Sequence, residues 1–204
     1  MNLGITGVIG RFKPLHNGSA LLLENVCASA DSVLIGIGSS NKYNLRNPFT
    51  AEESEAMIRS VLSPRFSNYT IIHVPDFAHI LEYRDGHAWK DCVAKHFGAR
   101  DHFVTGNRYV AELLKDTYAI VHPASLIPKE TQFFLRATTV RMAMATGRDW
   151  QALVPPPVAR YLESRNLVEH FRHEFGLETI ATHAGTDYGR QDDLAAERGH
   201  TYSK

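Results

Sequence analysis

The stretch "LGITGVIGRFKPLHNGS" (Leu3–Ser19) decides how the rest of the chain is read. An apolar run, Leu3–Val8, predicts a β-strand, and a helix is expected to begin near Ser19. Between them lies "GRFKPLHNGS" (Gly10–Ser19), with two basic residues, a proline and a histidine. Gly10 permits a sharp turn, Pro14 stiffens the loop, and Gly18 lets a ligand approach the main chain. The helix start offers unpaired N–H groups and a partial positive charge, a ready anion site. Arg11 and His16 add side-chain donors. Such a loop suits a polyphosphate; an ordinary connection with solvated Arg11 and Lys13 fits the composition equally well.

Working outward, four more apolar runs predict strands: Val33–Ile37, Tyr69–Val74, His102–Thr105 and Tyr118–Val121. "VLIGIG" (Val33–Gly38) is nearly all apolar, as in a strand covered on both faces. Helical stripes lie between the runs: Leu22, Leu23, Val26, Cys27 and Ala30; Met57, Ile58, Val61 and Leu62; Trp89, Val93 and Phe97; Val110, Leu113 and Leu114. Thr50 with Glu53 is a capping box that starts a helix at Ala51, and Pro64 follows its end. The alternation predicts an α/β fold: a Rossmann-like, doubly wound, five-stranded parallel sheet. Its ligand site is expected at the carboxyl ends of the strands. C-terminal helices follow at Ala137–Thr146, closed by Gly147, and at Val158–Ser164 after "VPPP" (Val154–Pro157). We divide the chain into an α/β domain over 1–165 and a C-terminal extension over 166–204. Beyond Leu177 the sequence is polar and is expected to form a mobile tail or a partner-dependent arm.

Bulk properties narrow the function. The 204 residues carry 22 Lys and Arg against 22 Asp and Glu, a net charge of zero. That balance argues against a general nucleic-acid or membrane-surface binder. No apolar run approaches the ~20 residues of a membrane span, and no secretory signal is read at the N-terminus. The expectation is a cytoplasmic protein. Cys27 and Cys92 are read as reduced core thiols. His170 and His173 are three apart but lack a third ligand, and no protein metal site is expected.

Gly-Arg-Phe-x-Pro-x-His-x-Gly resembles the loop of the nucleotidyltransferase superfamily that carries G-x-F-x-P-x-H-x-G-H. Further blocks are similar to one branch, the archaeal-type nicotinamide-nucleotide adenylyltransferases. They are "IGIGSSNKYNLRNPFTAEESEAMI" (Ile35–Ile58), "HAWKDCV" around Trp89, "VTGN" (Val104–Asn107) and "RATTVRMAM" (Arg136–Met144) with the following "GRDWQALVPPPV". The resemblance spans about Leu3 to Leu162. It implies transfer of the adenylyl group of ATP to nicotinamide mononucleotide, giving NAD and pyrophosphate with Mg²⁺ and no covalent intermediate. Residue by residue, it implies that Arg11, His16 and Arg141 do the catalytic work on the phosphates. Gly10, Phe12, Gly18, Ser19, Gly36, Gly38, Ser39, Arg46, Arg136 and Thr138 would form the ATP site. Trp89, Thr105, Gly106, Asn107 and Asn47 would hold the second substrate, Trp89 by stacking on the nicotinamide ring. Mg²⁺ would be held mainly by ATP phosphates, and the resemblance also implies a homo-oligomer.

Several of these positions have a bland alternative. Trp89 could be core, Gly36 and Gly38 could allow close strand packing, Arg46 could be solvated, and Thr50 is read mainly as an N-cap. The family pattern is also broken. Its loop ends in a second His where this chain has Ser19, and Arg136 stands where the closing block has Ser. A serine hydroxyl carries no charge, and losing a charged hydrogen bond worth about 1.5–3 kcal/mol in the transition state slows turnover roughly 10- to 100-fold. Arg136 could restore that charge if it reaches the phosphates. The segment Ala78–Gly86 looks longer than the family's turn. Two alternatives therefore stand beside the main reading: a nucleotidyltransferase for another phosphate acceptor, and a non-catalytic nucleotide-binding protein.

Overall fold

The structure, a computed structural model, describes residues 2–83, 85–133 and 135–184. Five parallel strands form one sheet in the order β3-β2-β1-β4-β5. They are β1 (Ile5–Gly10), β2 (Ser32–Ile37), β3 (Tyr69–His73), β4 (His102–Val104) and β5 (Ala119–Val121). The chain moves outward from β1 to β3, then returns across the sheet to β4 and β5. The direction reverses between β1 and β4, which pair from Thr6↔His102 to Val8↔Val104. Ligands of such sheets bind in the crevice at that reversal.

β1 lies two residues later than the apolar run suggests. Leu3 is fully buried, but its N–H bonds to Ser29 O outside the ladder. Gly4 takes a φ of +55°, and Asp101 Oδ2 accepts from Ile5 N at 2.7 Å, so pairing starts at Ile5. At its other end β1 runs on to Gly10, paired with Ile37.

Helices cover both faces. α1 (Asn17–Ser29) and α2 (Ala51–Leu62) bury Leu23, Val26, Met57 and Ile58 in a core shared with Val8, Val33 and Ile35. α3 (His87–Phe97) and α4 (Arg108–Leu114) bury Val93, Phe97 and Leu114 with Leu34, Val74 and Phe103 on the other side. Thr50 caps α2 as read, with Thr50 and Glu53 exchanging side-chain bonds. Cys27 is buried, whereas Cys92 is only half-buried, its sulfur 3.4 Å from His96 Nδ1, so the expectation of a core thiol fails there. It lies on a helix face that the sheet does not cover.

The C-terminal helices close the first core. α5 (Ala137–Thr146) buries Val140 and Met144, and α6 (Pro156–Ser164) begins on the proline cluster. α7 (Leu167–Phe171) passes through a π-helical turn, Arg172–Gly176, into α8 (Leu177–His183). Val168 and Phe171 belong to the same core, with Phe171 stacked on Phe49 at 6.2 Å. The expected mobile tail does not start at Leu177. Leu177–His183 is helical because Thr179, fully buried, faces the protein. The rest of the tail, from Gly185, lies outside the described residues.

Candidate active site

The loop after β1 folds inward more than its polar composition suggests. Phe12, with φ of +55°, lays its ring against Gly10, where a Cβ would stand 2.8 Å from the ring. Gly10 is thus required by the close approach of Phe12. Phe12, Lys13, Pro14 and Leu15 are all buried, and only Arg11 is exposed. Lys13 is 1% exposed; its Nζ donates to Ser39 O at 3.1 Å and Lys42 O at 3.4 Å. The solvated lysine allowed by the sequence is therefore corrected. Its neighbours Phe12, Pro14 and Leu15 were the available signal for burial.

α1 starts at Asn17, two residues before the expected Ser19, because a ring nitrogen replaces the usual capping oxygen. His16 Nδ1 accepts from Ser19 N at 3.3 Å. The imidazole therefore carries its hydrogen on Nε2, which is left as a donor. Burial, and secondarily the Arg141 guanidinium, push the His16 pKa down to about 4. Gly18 leaves room for this ring: a Cβ there would stand 3.3 Å from Nδ1. Ser19 is turned back on the loop, its Oγ accepting from His16 N at 3.0 Å and donating to His16 O at 2.9 Å. Its hydrogen is thus committed to the cap.

The end of β2 closes against this loop. Gly38 N donates to Gly10 O at 2.9 Å. Ser39 takes a φ of +51°, uncommon for a residue with a side chain, and its Oγ donates to Asp76 Oδ2 at 3.0 Å. Asn41 and Asp76 exchange further bonds, tying the β2–α2 loop to the segment after β3. At Gly36 a Cβ would meet Phe97 Cζ at 2.7 Å, so Gly36 admits the close packing of α3. Arg46 is half-buried before α2. Asn47 is 5% exposed; it donates to Asn44 Oδ1 at 3.0 Å, and its own Oδ1 is buried without a hydrogen-bond partner among the described residues.

α5 approaches from the other side of the loop. Arg141 is 7% exposed; its Nη1 donates to Lys13 O at 2.9 Å and its Nη2 to Thr138 Oγ1 at 3.2 Å. Thr138 thus orients Arg141. Arg136 is the N-cap residue of α5, half-buried, with no side-chain capping bond. At the end of β4, Thr105 is buried and its Oγ1 accepts from Asn107 N at 3.1 Å. Asn107 Oδ1 caps α4, accepting from Tyr109 N and Val110 N, while Gly106 is exposed beside Pro123 and His122. Trp89 sits in the first turn of α3, half-buried against the cluster that includes Ile9, Ile72 and Ile120. It thus packs on that cluster while staying partly exposed.

The structure thus brings Gly10, His16, Gly38, Ser39, Thr138 and Arg141 together at the end of β1, with the starts of α1 and α5 beside them. The donors named there are cationic or neutral N–H groups, the chemistry that receives phosphate oxygens. No group of three or more carboxylate, His or Cys side chains among the described residues could hold a metal ion. A concavity at the opposite end of the sheet, lined by Asn2 and Ala28–Asp31, gathers no comparable donors.

Comparison with known proteins gives the family. A family model described as cytidylyltransferase-like matches residues 8–148. The chain is 32% identical over 169 residues to the nicotinamide-nucleotide adenylyltransferase of Thermococcus kodakarensis, covering 80% of this chain and 85% of the relative. It is 35% identical over 170 residues to that of Pyrococcus horikoshii, covering 81% and 86%. Among solved structures, a bifunctional NMN adenylyltransferase/ADP ribose pyrophosphatase from Francisella tularensis, complexed with AMP and a manganese ion, superposes with a TM-score of 0.62 at 20% identity. The match covers 88% of this chain and 52% of that protein, about half its length, and supports the fold alone.

Proposed function

The chain belongs to the cytidylyltransferase-like family and, within it, to the nicotinamide-nucleotide adenylyltransferases, and from that premise we propose that it transfers the adenylyl group of ATP to nicotinamide mononucleotide, forming NAD and pyrophosphate. The observation that carries this for the chain's own residues is the convergence of His16, Arg141 and the α1 N-terminus on the end of β1, at the sheet's reversal.

ATP enters as its magnesium chelate, with the metal held by the phosphates. A phosphate oxygen of nicotinamide mononucleotide attacks the α-phosphorus in line. The bond from the α-phosphorus to the bridging oxygen breaks, and that oxygen leaves with the electron pair on pyrophosphate. No protein nucleophile takes part. The protein's contribution is to hold the two reactants in line and to stabilise charge on the leaving group. His16 Nε2–H donates to a phosphate oxygen while Nδ1 stays bound to the α1 start. Arg11 and Arg141 add positive charge. Trp89 stacks on the nicotinamide, and Thr105–Asn107 line the acceptor side. A cytoplasmic homo-oligomer belongs to the same reading; none of the described helices is long and apolar enough to cross a membrane.

The test is a rate comparison across acceptors. With MgATP, nicotinamide mononucleotide should support dinucleotide formation at least as well as the nicotinate form. His16→Ala and Arg141→Met should each lower kcat/KM for ATP by about 100-fold, the scale of losing one transition-state donor. Turnover only with another phosphate acceptor would replace the substrate assignment; intact rates in both variants would remove the site assignment.

A further inference from the structure

Lys13 is the one lysine among the large, fully buried side chains of the described residues, and neither the phosphate contacts nor the core explains it. Its side chain is buried, as are those of Phe12 and Leu15 on the same loop. Its ammonium reaches across to the next loop and donates to the carbonyls of Ser39 and Lys42. The first of these carbonyls belongs to the left-handed Ser39 at the tip of β2. The main-chain carbonyl of Lys13 accepts from Arg141 Nη1. One residue thus touches the phosphate loop, the β2–α2 loop and α5.

A buried ammonium is retained only where carbonyls or charges compensate it. The charges around Lys13 are Arg11 on its own loop, Glu52 and Glu53 at the start of α2, and Arg141 of α5. Asp76 lies one bond further on, through Ser39 Oγ. Methionine would fill the same space at lower desolvation cost. What methionine lacks is the tie between the loops.

We propose that Lys13 is a positioning residue of the adenylyl-transfer site, its buried ammonium clamping the β2–α2 loop, with Ser39 and Arg46, onto the phosphate loop while its backbone aims Arg141. The inference rests on the proposed function for the word adenylyl, but the clamp itself concerns any bound triphosphate. It predicts that loop closure, and with it triphosphate affinity, depends on the lysine proton. Burial and the nearby Arg11 push the Lys13 pKa down to about 8. The clamp therefore weakens as pH rises through that value. His16 is already neutral in that range.

The experiment is calorimetric titration of MgATP without acceptor into wild type, Lys13→Met and Lys13→Gln between pH 7 and 9.5, alongside amide exchange of the free proteins. Wild-type affinity should fall about tenfold across the alkaline range, one proton being required. Lys13→Met should bind at least tenfold more weakly at pH 7, Lys13→Gln less so, and neither should show the alkaline fall. In ligand-free Lys13→Met, the Ser40 and Lys42 amides should exchange at least tenfold faster. Should Lys13→Met fail to fold, Lys13→Gln and the wild-type profile decide. Affinity within twofold of wild type in the variants, an alkaline fall that persists in them, or unchanged exchange at Ser40 and Lys42 overturns the clamp. Wild type that binds MgATP in this manner yet makes no NAD leaves the clamp standing and defeats the assigned reaction.

Discussion

His16 and Ser19 show how much one loop position can carry. The His16 ring both caps α1 and keeps Nε2–H as a donor, so its neutral form is the useful one. An unfolded histidine titrates near 6.5, whereas in the folded protein the value is pushed down to about 4. Between those values the unfolded chain binds the extra proton. Stability therefore rises with pH across this window and is lost as pH falls through it. His16→Asn retains a capping acceptor without titrating, so its melting temperature should depend less on pH between 6.5 and 4 than that of wild type. Ser19 sits at N3 with its hydroxyl committed to His16. Ser19→Ala should cost about 1 kcal/mol, a fall of roughly 2–4 °C in melting temperature. Ser19→His should raise kcat by about 10- to 100-fold if an imidazole supplies the missing charged bond, while losing the reciprocal cap and melting lower. The place of the loop between β1 and α1 was legible in its residues. The inward turn of Lys13 was not, because a lysine is judged by its charge until the apolar side chains around it are in place.

At the scale of elements, glycine spacing has two meanings that sequence alone does not separate. Gly36 and Gly38 look alike in "VLIGIG", yet Gly38 bonds to Gly10 at the start of the β1–α1 loop, whereas Gly36 admits the Phe97 ring of α3. Gly36→Ala should destabilise by about 1–3 kcal/mol through overpacking, and adding Phe97→Leu should recover part of the loss; melting curves of the single and double variants check this. The capping box of α2 was readable because Thr50 and Glu53 act locally. The start of α1 was misplaced because serine, a favoured capping residue, occupies N3 while a histidine caps. β1 was displaced for a similar reason: Leu3 and Gly4 are apolar or small, but Asp101, distant in sequence, sets where pairing begins.

At the scale of the whole molecule, strand–helix alternation was enough to predict the parallel sheet and a ligand crevice at the carboxyl ends of its strands; that the reversal falls between β1 and β4 came only with the strand order. The part played by the last helices was harder to see. Phe171 packs on Phe49 in the core beneath the loop that carries Arg46 and Asn47, and Arg172 Nε donates to Met144 O of α5 at 2.7 Å. The polar stretch after Leu177 masked the apolar pair Val168 and Phe171 that ties these helices down. Phe171→Ala should cost about 3–5 kcal/mol, enough to lower the melting temperature of the whole protein in one transition. The central claim is adenylyl transfer by positioning alone. Its most direct measurement is phosphorus NMR of the purified protein mixed with MgATP and nicotinamide mononucleotide. The account predicts NAD and pyrophosphate appearing one for one as ATP disappears; ATP that binds but stays intact, or that goes to ADP and phosphate, would contradict it.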